Sequence, residues 1–345
     1  MIDEPVAVRD ALDEWRLRDY LAEELGSRSD ELELRQFPGG YSNLTYAVRW
    51  GADQWVLRCP PPGVDIKGAH DVLREAKLLA CLAPVLPWAP APLIACTDRS
   101  VIGAPFYLMR HVEGLILRRD PPAGLSLPPV TVRAICDALI QALVDLHALD
   151  PARLGLGDFG RPVGYAQRQV DGWTRRLEAA RTGDQAELAQ VAAWLAAHVP
   201  PDGAPALIHN DFKLDNVVLD PADPTRIIGI LDWEMAALGD PWMDVGSSLA
   251  YWIEAADEPV LLAMRFGPTH LPGAYTRDEW VARYCELSGR APVDFRFYRA
   301  FGLFKVAVVG QQLFKRYADG KSTDKRFAHL DRAVAALARE ALAAL

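Results

Sequence analysis

The chain has 345 residues, of which 50% are hydrophobic, 24% charged and 9% aromatic. This composition excludes a wholly disordered chain and a coiled coil, and it provides enough apolar residues for one large two-lobed domain or two domains. The 46 acidic residues outnumber the 37 basic ones, and the resulting formal charge of −9 argues against a protein that coats nucleic acid.

The sequence also argues against a membrane protein and against a metal or disulfide scaffold. No stretch approaches the roughly 18 consecutive apolar residues that a membrane span needs, and the acidic start of the chain is unlike a signal peptide. The five cysteines are scattered and share no metal-ligand spacing. We therefore expect a cytoplasmic protein without nucleic-acid or membrane partners, and its oligomeric state is not indicated.

The first third of the chain predicts a small lobe that is rich in strands. A helical period of three to four runs up to Leu25 and is followed by a period of two, which predicts strands over residues 44–50 and 54–59. A helix is predicted over residues 69–83, and after a proline-rich connection a pair of strands is predicted that ends at Met109.

Long helical patterns follow, rich in alanine and leucine. They cover residues 131–149, 185–199, 295–318 and 325–345. Between them, residues 206–246 form a block of short apolar strands around an unusual run of polar residues. The sequence thus predicts an α+β chain with an N-terminal lobe over residues 1–108, a hinge over 109–114 and a mainly helical lobe over 115–345.

The densest polar cluster in an apolar setting is the segment 208–219, IHNDFKLDNVVL. Phosphoryl transfer from ATP needs a carboxylate beside the attacking hydroxyl, oxygen ligands for Mg²⁺, and positive charge against the phosphates. Asp211 and Asn216 offer these oxygens, and Asp232 offers another directly after the apolar run IGIL. Lys213 supplies the positive charge that meets the transferring phosphate.

Each of these residues has a simpler interpretation when it is taken alone. Asp and Asn are favoured in turns, so His209 and Asp211 could cap a turn and Asp232 could merely end a strand. The full pattern is more specific, because His-x-Asp-x-Lys-x-x-Asn is followed by a second apolar run that ends in Leu-Asp. We therefore favour phosphoryl transfer.

A family resemblance agrees with this interpretation. The segment HNDFKLDN resembles the catalytic loop of the protein-kinase-like superfamily, and ILDWEMAALGDPWMD, within the segment 228–246, resembles its aminoglycoside phosphotransferase branch. Over residues 32–250 the chain is most similar to the phosphotransferase domains associated with acyl-CoA dehydrogenases. The resemblance implies a two-lobed fold, with a small antiparallel β-sheet and one helix in the N-terminal lobe and a larger, mainly helical C-terminal lobe.

The resemblance also implies roles for individual residues, with ATP and Mg²⁺ as cofactors. Asp211 would be the catalytic base or the carboxylate that orients the hydroxyl, and Asn216 and Asp232 would be the Mg²⁺ ligands. His209 would brace the catalytic loop by hydrogen bonding, and Asp244 would support it from the helical lobe. His147 would be packed in the fold rather than catalytic.

Upstream, residues 37–43 occupy the place of the hairpin that covers the phosphates. Gly39 and Gly40 would let the backbone approach the phosphates, and Ser42 and Asn43 would donate hydrogen bonds to them. Taken alone, two glycines between strands usually form only a turn. The position of this segment before the strand Trp55-Val56-Leu57-Arg58 is what favours the phosphate-binding interpretation.

Arg58 stands where protein kinases carry a lysine that binds the phosphates and pairs with a helix glutamate. Its guanidinium supplies the same charge in a planar fork, and Glu75 is the expected partner, although a surface glutamate is the alternative. In the hinge, the backbone around Arg110 and Val112 is expected to bind the adenine edge.

The leading interpretation is an ATP-dependent kinase of a small-molecule acceptor. A nucleotide-binding pseudokinase would have lost Asp211, Asn216 or Asp232. A protein kinase would carry Asp-Phe-Gly after the catalytic loop, where this chain has Asp232-Trp233-Glu234, and an Ala-Pro-Glu motif, which is absent. An aminoglycoside or other antibiotic kinase remains a second alternative.

The charge of residues 161–181 bears on the acceptor. Five arginines (Arg161, Arg168, Arg175, Arg176 and Arg181) against Asp171 and Glu178 give a local charge of +3. That charge suits an anionic metabolite better than a polycationic aminoglycoside, with a hydroxyacyl-CoA as the best single expectation. The simpler alternative is a solvated helix face that balances the net negative charge of the chain.

Overall fold

The computed structural model describes residues 6, 8, 12–26, 32–37, 43–61 and 71–345. The strands are β1 (Leu32–Gln36), β2 (Leu44–Trp50), β3 (Asp53–Cys59), β4 (Pro92–Cys96), β5 (Phe106–Arg110), β6 (Ala206–Ile208), β7 (Val217–Leu219), β8 (Ile227–Ile230) and β9 (Ala237–Gly239). The helices are α1 (Glu14–Glu24), α2 (Val72–Leu82), α3 (Arg99–Ile102), α4 (Pro129–Ala148), α5 (Tyr165–Ala179), α6 (Ala186–Ala197), α7 (Pro241–Ala250), α8 (Pro259–Ala263), α9 (Arg277–Ser288), α10 (Arg296–Ala318) and α11 (Leu330–Ala343). The α+β class predicted from the sequence is confirmed.

The chain forms two compact units. The first contains the residues up to Ile116 together with Leu154–Leu156 and Val217–Met235. The second contains Leu117–Arg153, Gly157–Asn216 and Ala236–Leu345.

The first unit is built on an antiparallel sheet with the strand order β1-β2-β3-β5-β4. In the central strand β3, Arg58 lies opposite Thr45 of β2 and Tyr107 of β5. Helix α2 begins where the Asp71 side chain accepts a hydrogen bond from the Arg74 amide at 3.1 Å, which satisfies one of the free amides of the first turn. Two predicted site residues therefore lie in the core of this unit. Arg58 is on the middle strand, and Glu75 is buried on α2.

The hairpin of β7 and β8 belongs to the same unit. It is joined to the rest by a bridge between Leu115 and Leu219. The Trp88 and Trp233 rings stack with their centroids 6.0 Å apart, and the Ile230 amide donates to the Trp88 carbonyl at 2.8 Å. These contacts hold the end of β8, and with it Asp232, in a defined place.

The second unit is mainly helical and contains the two-stranded sheet of β6 and β9. Helices α7 and α10 approach one another at two glycines. A Cβ atom on Gly302 would lie 2.0 Å from the Gly246 carbonyl oxygen, and one on Gly246 would lie 2.2 Å from the Tyr298 carbonyl oxygen. The two backbones are therefore in direct contact, which brings the side chains that flank these glycines close together.

The predicted helices over 131–149, 185–199 and 295–318 correspond to α4, α6 and α10 within two residues at each end. Helix α11 begins at Leu330 rather than at residue 325, because the turn Lys325–Phe327, capped by Asp324, precedes it. Helices α5, α7 and α9 were not predicted, since α5 and α9 carry many polar residues and α7 follows the polar block directly. No helix among the described residues combines the length and apolar character needed to cross a membrane.

The glycine contact between α7 and α10 gives a stability prediction. We expect Gly302→Ala to lower the free energy of unfolding by about 2 kcal/mol or more, because the added methyl group meets backbone that cannot rotate away. The matched control is Gly310→Ala on the same helix, where the new Cβ would lie 3.1 Å from a valine methyl group that can move. Urea unfolding of both variants measures the difference, and equal effects would contradict the close helix contact.

Candidate active site

The predicted catalytic loop follows β6 in the second unit and is held by Asp244 at the start of α7. The Asp244 carboxylate accepts hydrogen bonds from the backbone amides of His209 and Asn210, both at 2.7 Å. Burial would raise the pKa of Asp244, but the facing His147 ring and these hydrogen bonds lower it below its ordinary value. One buried, ionised carboxylate thus fixes two consecutive peptide groups of the loop.

His147 belongs to this support. Its Nε2 lies 3.2 Å from an Asp244 oxygen, and its Nδ1 lies 2.7 Å from the hydroxyl of Tyr284. The ring is buried, so His147 is packed in the fold and braces Asp244.

Asn210 has a left-handed backbone, with φ of +68°. Apart from glycines, only Asn210 and Asp232 show a positive φ in the part of the chain that the structure describes. The Tyr165 hydroxyl donates to Asn210 Oδ1 at 2.9 Å, and Lys305 Nζ donates to the Asn210 carbonyl oxygen. Strained backbone of this kind persists where its surroundings hold it, and it clusters at functional sites.

Asp211 stands at the centre of the loop with two of the predicted site residues. Lys213 Nζ lies 2.6 Å from Asp211 Oδ2. The Asn216 amide donates to the same oxygen at 3.1 Å and to the Asp211 carbonyl at 2.9 Å. The structure therefore brings Asp211, Lys213 and Asn216 together, and His209 Nδ1 accepts the Asp211 amide at 3.2 Å.

The electrostatics of Asp211 indicate how it can act. Burial alone would raise the pKa of the Asp211 carboxyl, but the ammonium groups of Lys213 and Lys305 lower it below its ordinary value. A carboxylate with a low pKa is a weak proton acceptor and a good hydrogen-bond acceptor. This environment suits the orientation of a hydroxyl group better than early removal of its proton.

A small cavity adjoins the loop within the second unit. Lys213 Nζ lies 4.7 Å from the centre of the Tyr251 ring and 5.8 Å from that of Phe266. The walls are largely aromatic and aliphatic, with three hydroxyl groups and one lysine, and consist of Leu139, Phe212, Lys213, Leu214, Ser248, Tyr251, Trp252, Phe266, Thr269 and Trp280. The cavity volume of about 20 Å³ is room for about one water molecule.

In the first unit, Arg58 is the centre of an ionic cluster. Its Nη1 lies 2.5 Å from Glu75 Oε1, while its Nη2 lies 3.3 Å from Asp232 Oδ1 and 2.9 Å from Glu234 Oε2. Arg58 is 6% exposed and Glu75 is 2% exposed. Glu75 is thus a buried ion-pair partner of Arg58 and not a surface residue.

The cluster carries an excess of negative charge, since three carboxylates face one guanidinium. The pKa of Glu75 is raised to about 7, first by burial and then by the other two carboxylates, while Arg58 opposes the shift. Burial would lower the pKa of Arg58, but these carboxylates raise it well above its ordinary value. The cluster therefore favours the approach of a cation.

Asp232 is the most accessible member of this cluster, with 39% of its side chain exposed. Its φ of +67° turns the chain sharply after β8. A carboxylate oxygen that is exposed beside an excess of negative charge fits a Mg²⁺ ligand, since this ion binds to one or two carboxylates and to phosphate oxygens. The side-chain amide nitrogen of Asn216 donates to Asp211. The side-chain oxygen of Asn216 is therefore the atom that would bind a further ligand.

The predicted phosphate-covering hairpin is described only in part. Gly39, Gly40 and Ser42 lie outside the described residues. Asn43 is buried, and its amide donates to Glu234 Oε2 at 2.9 Å.

The predicted adenine-binding residues lie at the end of β5 and just after it. The Arg110 amide donates to the Ala91 carbonyl at 2.9 Å, so this amide is engaged within the unit. Val112 is buried against Ile116 and Val218.

Sequence reasoning missed three residues that contact the site. Glu234, which binds both Arg58 and Asn43, stands two positions after Asp232 and was readable as a second carboxylate of that segment. Lys305 is the single charge within the apolar run FGLFKVAVV, and an isolated lysine in such a run indicates a buried charge with a specific partner. Tyr165 offered no signal in the sequence.

Solved structures resemble this fold over nearly the whole chain. A Ralstonia eutropha JMP134 protein assigned to the aminoglycoside phosphotransferases has a TM-score of 0.81 and 27% identity, covering 97% of this chain and 98% of its own. A thermostable mutant of an aminoglycoside phosphotransferase, solved with ADP and hygromycin B, has a TM-score of 0.59 and 18% identity, covering 94% and 98% of the two chains. The predicted protein-kinase-like phosphotransferase fold is confirmed.

Among curated proteins, mouse acyl-CoA dehydrogenase family member 10 is 36% identical over 322 residues, which are 92% of this chain and 30% of that protein. Human acyl-CoA dehydrogenase family member 11 is 32% identical over 91% of this chain and 40% of its own length. The chain thus spans less than half the length of these relatives.

The predicted resemblance to phosphotransferase domains found with acyl-CoA dehydrogenases is confirmed by these relatives. The model of the phosphotransferase enzyme family matches residues 33–293, well over half of the chain, and the protein therefore belongs to this family.

Proposed function

We propose that the protein transfers a phosphoryl group from ATP to a hydroxyl of an anionic small molecule. The observation that carries the proposal is the arrangement of Asp211, Lys213 and Asn216 on a loop anchored by Asp244. Phosphoryl transfer depends mainly on positioning and on charge stabilisation, and this loop offers both an orienting carboxylate and a cation beside it.

In this proposal Asp211 accepts the hydrogen bond of the acceptor hydroxyl and directs its oxygen toward the phosphorus. Its ion pair with Lys213 places the ammonium group beside the position of that hydroxyl. Lys213 then offsets the negative charge that develops on the transferring phosphoryl group. The proton of the hydroxyl passes to Asp211 late in the transfer, since the low pKa of this carboxyl disfavours earlier protonation.

For the donor we propose ATP with Mg²⁺, with GTP as the alternative nucleotide. Arg58 would bind phosphate oxygens, and Glu75 would hold its guanidinium. We assign Asn216 and Asp232 as the protein ligands of Mg²⁺, which would neutralise the phosphates during transfer. Of the two residues expected at the adenine edge, we now favour Val112, because the Arg110 amide is already engaged.

The proposal keeps the sequence-based organisation, with a hinge over residues 109–114 between the N-terminal lobe, 1–108, and the helical lobe, 115–345. It also keeps Gly39, Gly40, Ser42 and Asn43 as the phosphate-covering segment. A cytoplasmic location is part of the proposal, supported by five free cysteines that suit a reducing compartment.

For the acceptor we propose an anionic metabolite, with a hydroxyacyl-CoA as the specific candidate. All five arginines of residues 161–181 are exposed, on α5 or beside it. Arginine binds carboxylate and phosphate groups through its planar fork. The names of the acyl-CoA dehydrogenase relatives support the same chemical class.

An aminoglycoside kinase is the second candidate, because solved structures of similar fold carry kanamycin or hygromycin B. The exposed arginines disfavour an aminoglycoside acceptor, since a positively charged surface repels a polycation and weakens its binding. A pseudokinase is disfavoured by the presence of Asp211, Asn216 and Asp232.

The role of Asp211 predicts a specific loss of turnover. We expect Asp211→Asn to bind ATP normally and to lower kcat by at least about 100-fold, because the amide is a poorer acceptor for the hydroxyl and is neutral. Asp223→Asn, in an exposed turn, is the matched control. Near wild-type turnover of the variant on its acceptor would refute the assigned role.

The role of Asp232 predicts a change in metal dependence. We expect Asp232→Ala to weaken nucleotide binding by about tenfold or more in Mg²⁺, because a metal ligand is lost. In EDTA the variant should bind nucleotide at least as tightly as the wild type, since Arg58 loses a competing carboxylate. Calorimetry in both buffers, with Asp53→Ala as control, tests this, and an unchanged affinity in Mg²⁺ would contradict it.

The charge of α5 predicts the acceptor class. In a panel of hydroxyacyl-CoA thioesters, hydroxy acids, sugar phosphates, neutral sugars and aminoglycosides, we expect ATP-dependent phosphorylation of the anionic compounds only. Arg175→Gln combined with Arg176→Gln should raise KM for the acceptor and leave KM for ATP unchanged. Turnover of kanamycin-type compounds, with none of anionic ones, would overturn this assignment.

A further inference from the structure

Helix α10 carries a buried charge that the proposed reaction does not use directly. Lys305 is 5% exposed and is the only charged residue between Phe301 and Val309. Burying an ammonium group is costly unless hydrogen bonds and neighbouring negative charge compensate it. The contacts of Lys305 therefore show what the charge is used for.

Those contacts converge on the residue before Asp211. Lys305 Nζ donates to the carbonyl oxygen of Asn210, and the carboxylates of Asp211 and Asp244 stabilise its charged form. The Trp173 ring faces the ammonium group at 5.9 Å, which adds a weak cation–π attraction. Two further cations, Lys213 and Arg176, oppose it.

Asn210 is held by three groups at three different atoms. Asp244 accepts its amide, Tyr165 donates to its side-chain oxygen, and Lys305 donates to its carbonyl oxygen. The left-handed backbone of a non-glycine residue costs free energy, so each contact helps to maintain it. The direction of the next side chain, that of Asp211, depends on this backbone.

We infer that Lys305 is a positioning residue, which fixes the left-handed Asn210 and thereby sets the place of the Asp211 carboxylate for phosphoryl transfer. This inference rests on the proposed function for the reaction itself, but the anchoring of the loop is independent of it. The closeness of α7 and α10 at Gly246 and Gly302 permits Lys305 and Asp244 to act on the same residue.

The test uses the full chain with two readouts. The first is hydrogen exchange of backbone amides in peptides that span residues 206–216, without nucleotide. The second is the separate measurement of kcat and of KM for ATP, with the best acceptor from the panel above or with water as acceptor.

We expect Lys305→Met to speed exchange of the Asn210 and Asp211 amides by about tenfold or more, because the methionine side chain has no hydrogen-bond donor for the Asn210 carbonyl. We expect its kcat to fall at least about 30-fold with KM for ATP within about twofold of wild type. Lys305→Gln keeps a hydrogen-bond donor if Lys305→Met does not fold, and it should show the same direction in both readouts. Lys305→Arg, which keeps charge and donor, should recover much of the loss.

Two controls separate positioning from general stability. Lys315→Met removes a half-buried lysine of the same helix, which pairs with Asp319, and should change neither readout. Val308→Ala truncates a fully buried side chain of α10, and it should lower stability while leaving kcat unchanged.

The outcomes are distinct. Unchanged loop exchange in Lys305→Met and Lys305→Gln would overturn the inference, as would faster exchange with an unchanged kcat in an active enzyme. A kcat loss in Val308→Ala equal to that of Lys305→Met would also overturn it. If the wild type shows no nucleotide-dependent transfer or hydrolysis, the proposed function fails, and the exchange result alone then decides whether Lys305 anchors the loop.

Discussion

The site in the second unit depends on one buried carboxylate. Asp244 is fully enclosed, yet it accepts two consecutive backbone amides and faces a histidine, so its charge is compensated by hydrogen bonds rather than by water. These bonds are directional, and they determine the path of the chain through His209 and Asn210. The path of the loop is therefore set by the protein's own hydrogen bonds, and such preorganisation is the condition under which electrostatic stabilisation is most effective.

The cluster in the first unit uses the shape of the arginine at position 58. The two terminal nitrogens of Arg58 contact different partners, since one binds Glu75 on α2 and the other binds two carboxylates after β8. A single ammonium nitrogen could not reach both sides in the same way, because a lysine presents a compact point charge. The planar fork thus links a helix, a central strand and the segment that carries Asp232.

The sequence predicted the parts of the molecule that follow from local chemistry. The HNDFKLDN segment and the strand before Arg58 were readable because charged residues within apolar runs are rare, and the long helices showed a clear period. Lys305 and Tyr165 were not assigned, since they lie 95 and 45 residues from Asn210, and only the tertiary fold brings them together. Helix α5 was missed because its composition is largely polar, although Ala166, Val170, Trp173 and Leu177 recur at helical spacing and form its buried face.

The division of these groups between the two units has an evolutionary consequence. Arg58, Glu75 and Asp232 belong to the first unit, whereas Asp211, Lys213 and the arginines of α5 belong to the second. Under the proposed function, selection can alter acceptor recognition in the second unit while the proposed phosphate-binding residues of the first unit stay constant, so that one scaffold can serve different acceptors.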